Sequence, residues 1–192
     1  MASSFSTSLK LEKMTTGEKA GLWGTVTNTN LDLVEQAVGG YVELSLASGN
    51  QTPAISDGAA SDGRNKVIKL TGTLSANRSL IFPDSCEKTY LVIDGTTRSS
   101  SHYTITIKTS SGTGVTMPVG STMLVIVDGT NVITGITQKG YVTTTSAYTA
   151  VNGDQVIVDT SAAAVTVTLP ASPAVGNEVH FLDGKLSFNS NN

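Results

Sequence analysis

Two histidines, one cysteine and a scatter of Asp–Gly pairs are the residues through which this chain could do chemistry. His102 and His180 lie at the start of, or within, apolar strand-like runs. A metal centre would need His, Cys, Asp or Glu gathered around them at ligand spacing, and Asp183, close after His180, belongs to an Asp–Gly turn. Cys86 has no second cysteine with which to form a disulfide or share a metal, and it reads as a small buried side chain. Asp57, Asp62, Asp94, Asp128 and Asp183 each precede glycine, where aspartate is favoured for hydrogen bonding to its own backbone. Serines are plentiful, but none stands in a nucleophile elbow. Paired glycosidase carboxylates would need an aromatic-lined cleft, and aromatics make up 5% of the chain. Gly112-Thr113-Gly114 follows a strand pattern without the lysine and long helix of a phosphate loop. No catalytic, cofactor-binding or metal-ligating set is assigned, and no cofactor is expected.

The elements that would position such residues are better marked. Val67 to Gly95 can be laid without gaps over Val156 to Gly184, so that Val67 meets Val156, Leu80 meets Leu169 and Asp94-Gly95 meets Asp183-Gly184. Gly-Tyr-Val precedes each copy, at Gly40 and at Gly140. A constant offset of this kind indicates a repeated unit. Period-two patterns predict strands over Tyr41–Leu46, Lys66–Leu70, Arg78–Phe82, Thr89–Ile93, Tyr103–Lys108, Thr122–Val127 and Asn131–Ile136, then Gln155–Asp159, Ala164–Leu169 and Glu178–Leu182. Asp128-Gly129-Thr130 is the clearest hairpin. Short strands at regular spacing predict a mainly β fold of two tandem, related sandwich or barrel-like units. One unit spans 1–139, with an N-terminal arm, and the other 140–192. The second copy lacks the strand that follows Gly95 in the first, so the chain is expected either to continue beyond Asn192 or to complete its sheet with a strand from another subunit.

One helix is predicted near the N-terminus, capped by Asn30, running through Leu31 to Val38 and stopped by Gly39-Gly40. Leu31, Val34 and Val38 share a face, with Leu33 and Ala37 near it, that must cover something apolar, and so short a helix must dock on a sheet or a neighbouring subunit. The lone tryptophan, in Leu22-Trp23-Gly24, reads as a packing anchor.

Charge excludes one class of partner. Twelve basic residues against fifteen acidic ones, with no basic run, speak against nucleic acid. The N-terminal MASSFSTSLKLEK has no long apolar core, so no signal peptide is expected, and no run is long enough for membrane insertion. A charged fraction of 14% in a chain rich in Gly, Ser, Thr and Val is the composition of a structural β protein.

Leu9-Lys10-Leu11-Glu12, Thr16-Gly17-Glu18-Lys19-Ala20-Gly21-Leu22-Trp23-Gly24 and Asn28-Thr29-Asn30-Leu31, continued by Gly40-Tyr41-Val42, Arg64-Asn65, Leu70-Thr71-Gly72-Thr73-Leu74, and Met123-Leu124-Val125 with Asp128-Gly129-Thr130-Asn131-Val132, resemble the N-terminal region of tail-fibre-like and other virion structural proteins of tailed bacteriophages, marine and cyanobacterial ones especially. The resemblance covers the first two thirds of the chain, and these motifs have no catalytic content. It implies a non-enzymatic virion protein, assembled in the bacterial cytoplasm, that forms the particle-attaching part of a tail or head fibre. The implied partners are other virion proteins of the tail, adaptor or collar ring, together with further copies of the chain, a homotrimer being favoured. Leu22, Trp23, Leu31, Val34 and Val38 are the candidate assembly interface. The alternative is a carbohydrate-binding β module that recognises a host surface glycan, although Tyr41, Tyr103, Tyr141 and Tyr148 open or precede strands and so offer poor stacking platforms. A glycan depolymerase would need carboxylates beyond Asn192.

Overall fold

The computed structural model describes residues 3–100, 102–173, 175, 177–186 and 188, and of residues 137–139 the backbone only. The chain divides into two compact units, 1–137 and 138–192.

In the first unit, β1 (Ser4–Phe5) and β2 (Glu12–Lys13) form a small antiparallel hairpin. Helix α1 (Trp23–Gly39) follows and leads through Gly40 directly into β3 (Tyr41–Ser45). A 3-10 turn at Asp62–Arg64 precedes β4 (Val67–Thr71), β5 (Thr73–Leu74) and β6 (Arg78–Phe82). Next come β7 (Glu87–Asp94), β8 (Thr97–Arg98) and β9 (Ile105–Thr109), and then β10 (Gly114–Met117), β11 (Ser121–Asp128) and β12 (Val132–Lys139). Strand β3 pairs with β4 in parallel, β4 with β7, β5 with β8 and β6 with β9. Each strand therefore lies beside the one that follows it by roughly 25 residues, the periodicity of a coil rather than of hairpins. Two antiparallel additions close this stack, β10 on β9 and β11 on β7, and β12 returns along β11 through the Asp128-Gly129 turn. Gly129 takes a φ of 91° there, and Asp128 Oδ1 accepts from the amides of Thr130 and Asn131 at 2.9 and 2.6 Å.

The arrangement is β-solenoid-like, which corrects the expected sandwich or barrel. Alternation with period two tells which residues face inward, but not whether the neighbouring strand arrives by a hairpin or by a full coil. Like residues consequently stack in ladders: Val42, Ile68, Val92 and Met123 across one sheet, and Leu80, Ile107 and Val115 across the other. Between the ladders Phe82 stacks on Tyr90, ring centroids 4.1 Å apart. Sixteen buried side chains form this core.

The second unit comprises β13 (Tyr141–Thr144), β14 (Tyr148–Thr149), β15 (Gln155–Val158), β16 (Val167–Thr168) and β17 (His180–Asp183). Its main sheet runs β13–β15–β17, all parallel, and β14 pairs with β16 in parallel. The repeat seen in the sequence is structural. Tyr41 and Tyr141 each open the first of three parallel strands, and Asp94 and Asp183 each end the third. Gly95 N–H donates to Leu70 O at 2.9 Å, and Gly184 N–H to Val158 O at 2.8 Å. Leu70 thus corresponds to Val158, whereas the gapless overlay placed Asp159 there; the copies differ by one residue between strands. Strand β12 runs to Lys139 and β13 begins at Tyr141, with Gly140 between them. The tail at 187 and 189–192, where the missing strand was sought, lies outside the described residues.

The helix differs most from expectation. It begins at Trp23 rather than after Asn30, and no side chain caps it at Leu22. Thr25, Thr27, Asn28 and Thr29 are poor helix formers, which made the first two turns read as loop. Asn30 lies mid-helix, and its amide donates to Glu12 O at 2.8 Å and accepts from Glu12 N–H at 2.9 Å. A helix interior thus holds β2 as a neighbouring strand would.

Candidate functional site

Helix α1 is amphipathic about an axis one residue away from the expected one. Val26, Leu33 and Ala37 are its buried residues. Leu31, Val34 and Val38, expected to be covered, are 62%, 37% and 73% exposed, and Leu22 and Trp23 are 55% and 65% exposed. Leu33 and Ala37 each stand one position before Val34 and Val38, about 100° around the helix. The helix is therefore apolar over two adjacent faces, one of which is used within the chain.

The used face and its flanks are firmly fixed. Glu12, besides its contact with Asn30, pairs with Lys19 at 2.8 Å; this bond holds the Glu12 carboxyl below its usual range and raises Lys19. Gln36 Oε1 receives the Ser61 amide at 3.4 Å and lies 3.5 Å from Arg64 Nη1. Arg64 is fully buried with no carboxylate among its bonded partners. Its Nε donates to Leu9 O at 3.0 Å, Nη2 to Ser56 O at 2.7 Å, and Nη1 to Ser61 Oγ at 3.1 Å and to Ala59 O. One side chain thus ties the N-terminal arm, the 54–65 loop and the helix together. In the sequence Arg64-Asn65 counts only among the motifs of the resemblance, and neither composition nor spacing gives Arg64 this role.

The residues with potential chemistry are dispersed. Cys86 is buried, its Sγ lies 3.6 Å from Tyr90 Oη, and burial pushes its thiol pKa up. Tyr90 is likewise raised by burial and donates to Gly63 O at 2.7 Å. Lys88 Nζ lies 4.1 Å from the centroid of the Tyr90 ring and donates to Arg64 O and Asn65 O at 2.5 and 2.6 Å; burial pushes its pKa down to about 8. These are clasps onto loop carbonyls, with no base beside the thiol. His102 Nδ1 is 3.3 Å from Ser100 Oγ at the surface, and among the described residues no acid is paired with the ring. His180 Nε2 is 3.4 Å from Glu178 Oε2, an acid the sequence reading passed over, and both side chains are largely in solvent. Asp94 is spent on Arg98 at 2.9 Å, the Thr96 amide and hydroxyl, and the Gly120 amide. Among the described residues no three His, Cys, Asp or Glu are placed to hold a metal ion, and no helix is long and apolar enough to cross a membrane. In the second unit a cavity of about 440 Å³ is lined by Val158, Thr160, Val165, Val167, Leu169, Phe181 and Phe188, with no ionisable group among them.

The exposed stripe of α1 is therefore the candidate functional surface. Comparison with protein-family models, curated proteins and solved structures finds no match. The functional argument rests on this surface and on the sequence resemblance.

Proposed function

We propose that the chain is a non-enzymatic structural protein of a phage virion, the particle-attaching part of a tail or head fibre, and that it docks onto other virion proteins or further copies of itself through α1. The observation that carries this reading is the second apolar face of α1, contiguous with the buried one yet open to solvent at Trp23, Leu31, Val34 and Val38, with exposed Leu22 immediately before the helix. Exposed apolar patches of this size mark protein contacts more often than they occur by chance. A stack of parallel coils, which extends by repetition along one axis, suits a fibre element. The test is complementation: Trp23→Ala should leave the chain soluble and folded yet lower its incorporation into particles at least about tenfold, as loss of a buried aromatic anchor does. Normal incorporation would refute the docking role.

A second reading has one observation in its favour. Tyr41 and Tyr141, which open the first strand of each unit, are 52% and 61% exposed, as residues that stack on sugar rings would be. Calorimetric titration with host surface polysaccharide, and its loss in Tyr141→Ala, would support a carbohydrate-binding module instead.

A further inference from the structure

The sheet β12–β11–β7–β4–β3 carries an apolar row on its outer face as well as an apolar inner face. Leu91-Val92-Ile93 in β7 and Met123-Leu124-Val125-Ile126-Val127 in β11 are unbroken apolar runs, the pattern of strands covered on both faces rather than one. Val92, Met123, Val125 and Val127 point into the core. The residues between them point outward, and the register places Leu124, Leu91, Val67 and Tyr41 in one row across four strands. Leu124, Leu91 and Val67 are half-buried, and Tyr41 and the neighbouring Ile126 are exposed. Charge flanks this row on the same face: Glu43 and Lys69 are paired at 3.0 Å in the adjoining row, with Tyr41 Oη donating to Glu43 at 2.6 Å, and Asp128 lies opposite Glu87 at the far end of β11 and β7. No charged residue stands in the apolar row itself, and the Glu43–Lys69 pair at its margin is already mutually neutralised.

The same chain carries a helix whose apolar stripe is open. Two such stripes zipped together would make a poor coiled coil, because the heptad positions before Leu31 are Thr27 and Gly24, and a zipper needs three or more apolar heptads. A flat apolar sheet is the better complement, since a helix laid on a sheet is one of the few stable two-layer arrangements. Within one chain α1 is tethered through Asn30 to Glu12 and through Gln36 to the 61–64 turn, and its stripe stays exposed. From these two surfaces we infer that α1 of one copy lies across the outer face of the β11–β7–β4–β3 strands of another.

A standard stable interface buries roughly 800 Å² per partner, and the open helix stripe and the sheet row, used together by each copy, both contribute to such a surface. The contact is heterologous, each copy giving a helix to one neighbour and a sheet to the next, and such contacts close into rings when the rotation permits. This inference rests on the reading of α1 as an assembly face and names its partner as a second copy.

The test uses light scattering on three full-length chains: wild type, a helix variant (Leu31→Glu with Val38→Glu) and a sheet variant (Leu124→Lys with Ile126→Lys). Circular dichroism verifies folding, and Ile126→Lys alone, at an exposed position, replaces the sheet variant should the pair unfold. Wild type is expected to be oligomeric at micromolar concentration and each variant monomeric. An equimolar mixture of the two variants is expected to double in mass, because one intact helix still meets one intact sheet. Monomeric wild type overturns the inference, as does a sheet variant that remains oligomeric or a mixture of folded variants that fails to pair. Particle incorporation of Trp23→Ala is scored separately, so a monomeric wild type with a defective Trp23→Ala chain would sink self-association and leave the virion role standing.

Discussion

Arg64→Met is the substitution that best tests how the first unit holds its N-terminal arm. Methionine keeps most of the aliphatic stem and removes every donor, so the carbonyls of Leu9, Ser56 and Ala59 lose their partner together. A buried carbonyl left without a donor costs about 1–3 kcal/mol. The lower figure suits a loop that water can enter, which puts the whole effect at about 3 kcal/mol. With a urea slope of about 2–3 kcal/mol/M, the transition midpoint of the first unit should fall by at least about 1 M. Arg64→Lys should recover less than half of the loss, because a single ammonium cannot serve carbonyls spread around a planar guanidinium. The assay is urea unfolding followed by far-UV circular dichroism, with hydrogen exchange to locate the change in the arm and the 54–65 loop. A midpoint shift below about 0.3 M at unchanged slope would refute the argument that one cation organises this region.

Asp94→Ala removes the carboxylate that pairs with Arg98, whose side chain is also buried, and should destabilise the first unit by about 3–5 kcal/mol in denaturant titration, whereas exposed Asp128→Ala should cost about 1 kcal/mol or less. The depressed pKa of Lys88 gives a signed pH effect: between about 8 and the ordinary 10.5 the unfolded chain binds the proton that the folded chain has released, so stability should rise with pH across that window. Urea midpoints at pH 7.5 and 9.5 should show this rise in wild type and lose it in Lys88→Met. Cys86, buried and with its thiol pKa raised, should react with an aromatic disulfide reagent at least about a hundredfold more slowly in the native chain than in urea.

Strand positions and the repeat were legible because alternation and the Asp-Gly ends are local signals. Arg78–Phe82 was placed to the residue, and the Asp128-Gly129 hairpin is where the turn chemistry put it. The solenoid was not legible, since the partner of each strand lies a whole coil away and leaves no mark on the alternation. Strand β10 was missed because Gly114 and Pro118 bracket it with loop-like residues. On α1 both Leu33/Ala37 and Val34/Val38 recur at i, i+4, so periodicity could not rank the two faces; the decision lies in Asn30 and Gln36, polar residues whose partners Glu12 and Ser61 are distant in sequence. The surface proposed for assembly was therefore visible in composition, while its solvent exposure depended on contacts that no window of sequence contains.

The joint at Gly40 gives the molecule a mechanical path. Gly40 runs extended from the end of α1 into β3, its amide donating to Gln36 O at 2.9 Å, and any side chain there would collide with Gln36 O and Asn65 Oδ1. No slack segment separates helix from strand. Tension applied to α1 is delivered to β3, the outermost strand of its sheet, which is held to β4 along Tyr41–Ser45. A pull along the strand would load those hydrogen bonds together in shear, and a pull across it would peel them one after another. The direction in which α1 is anchored therefore sets how much force the first coil withstands before it opens.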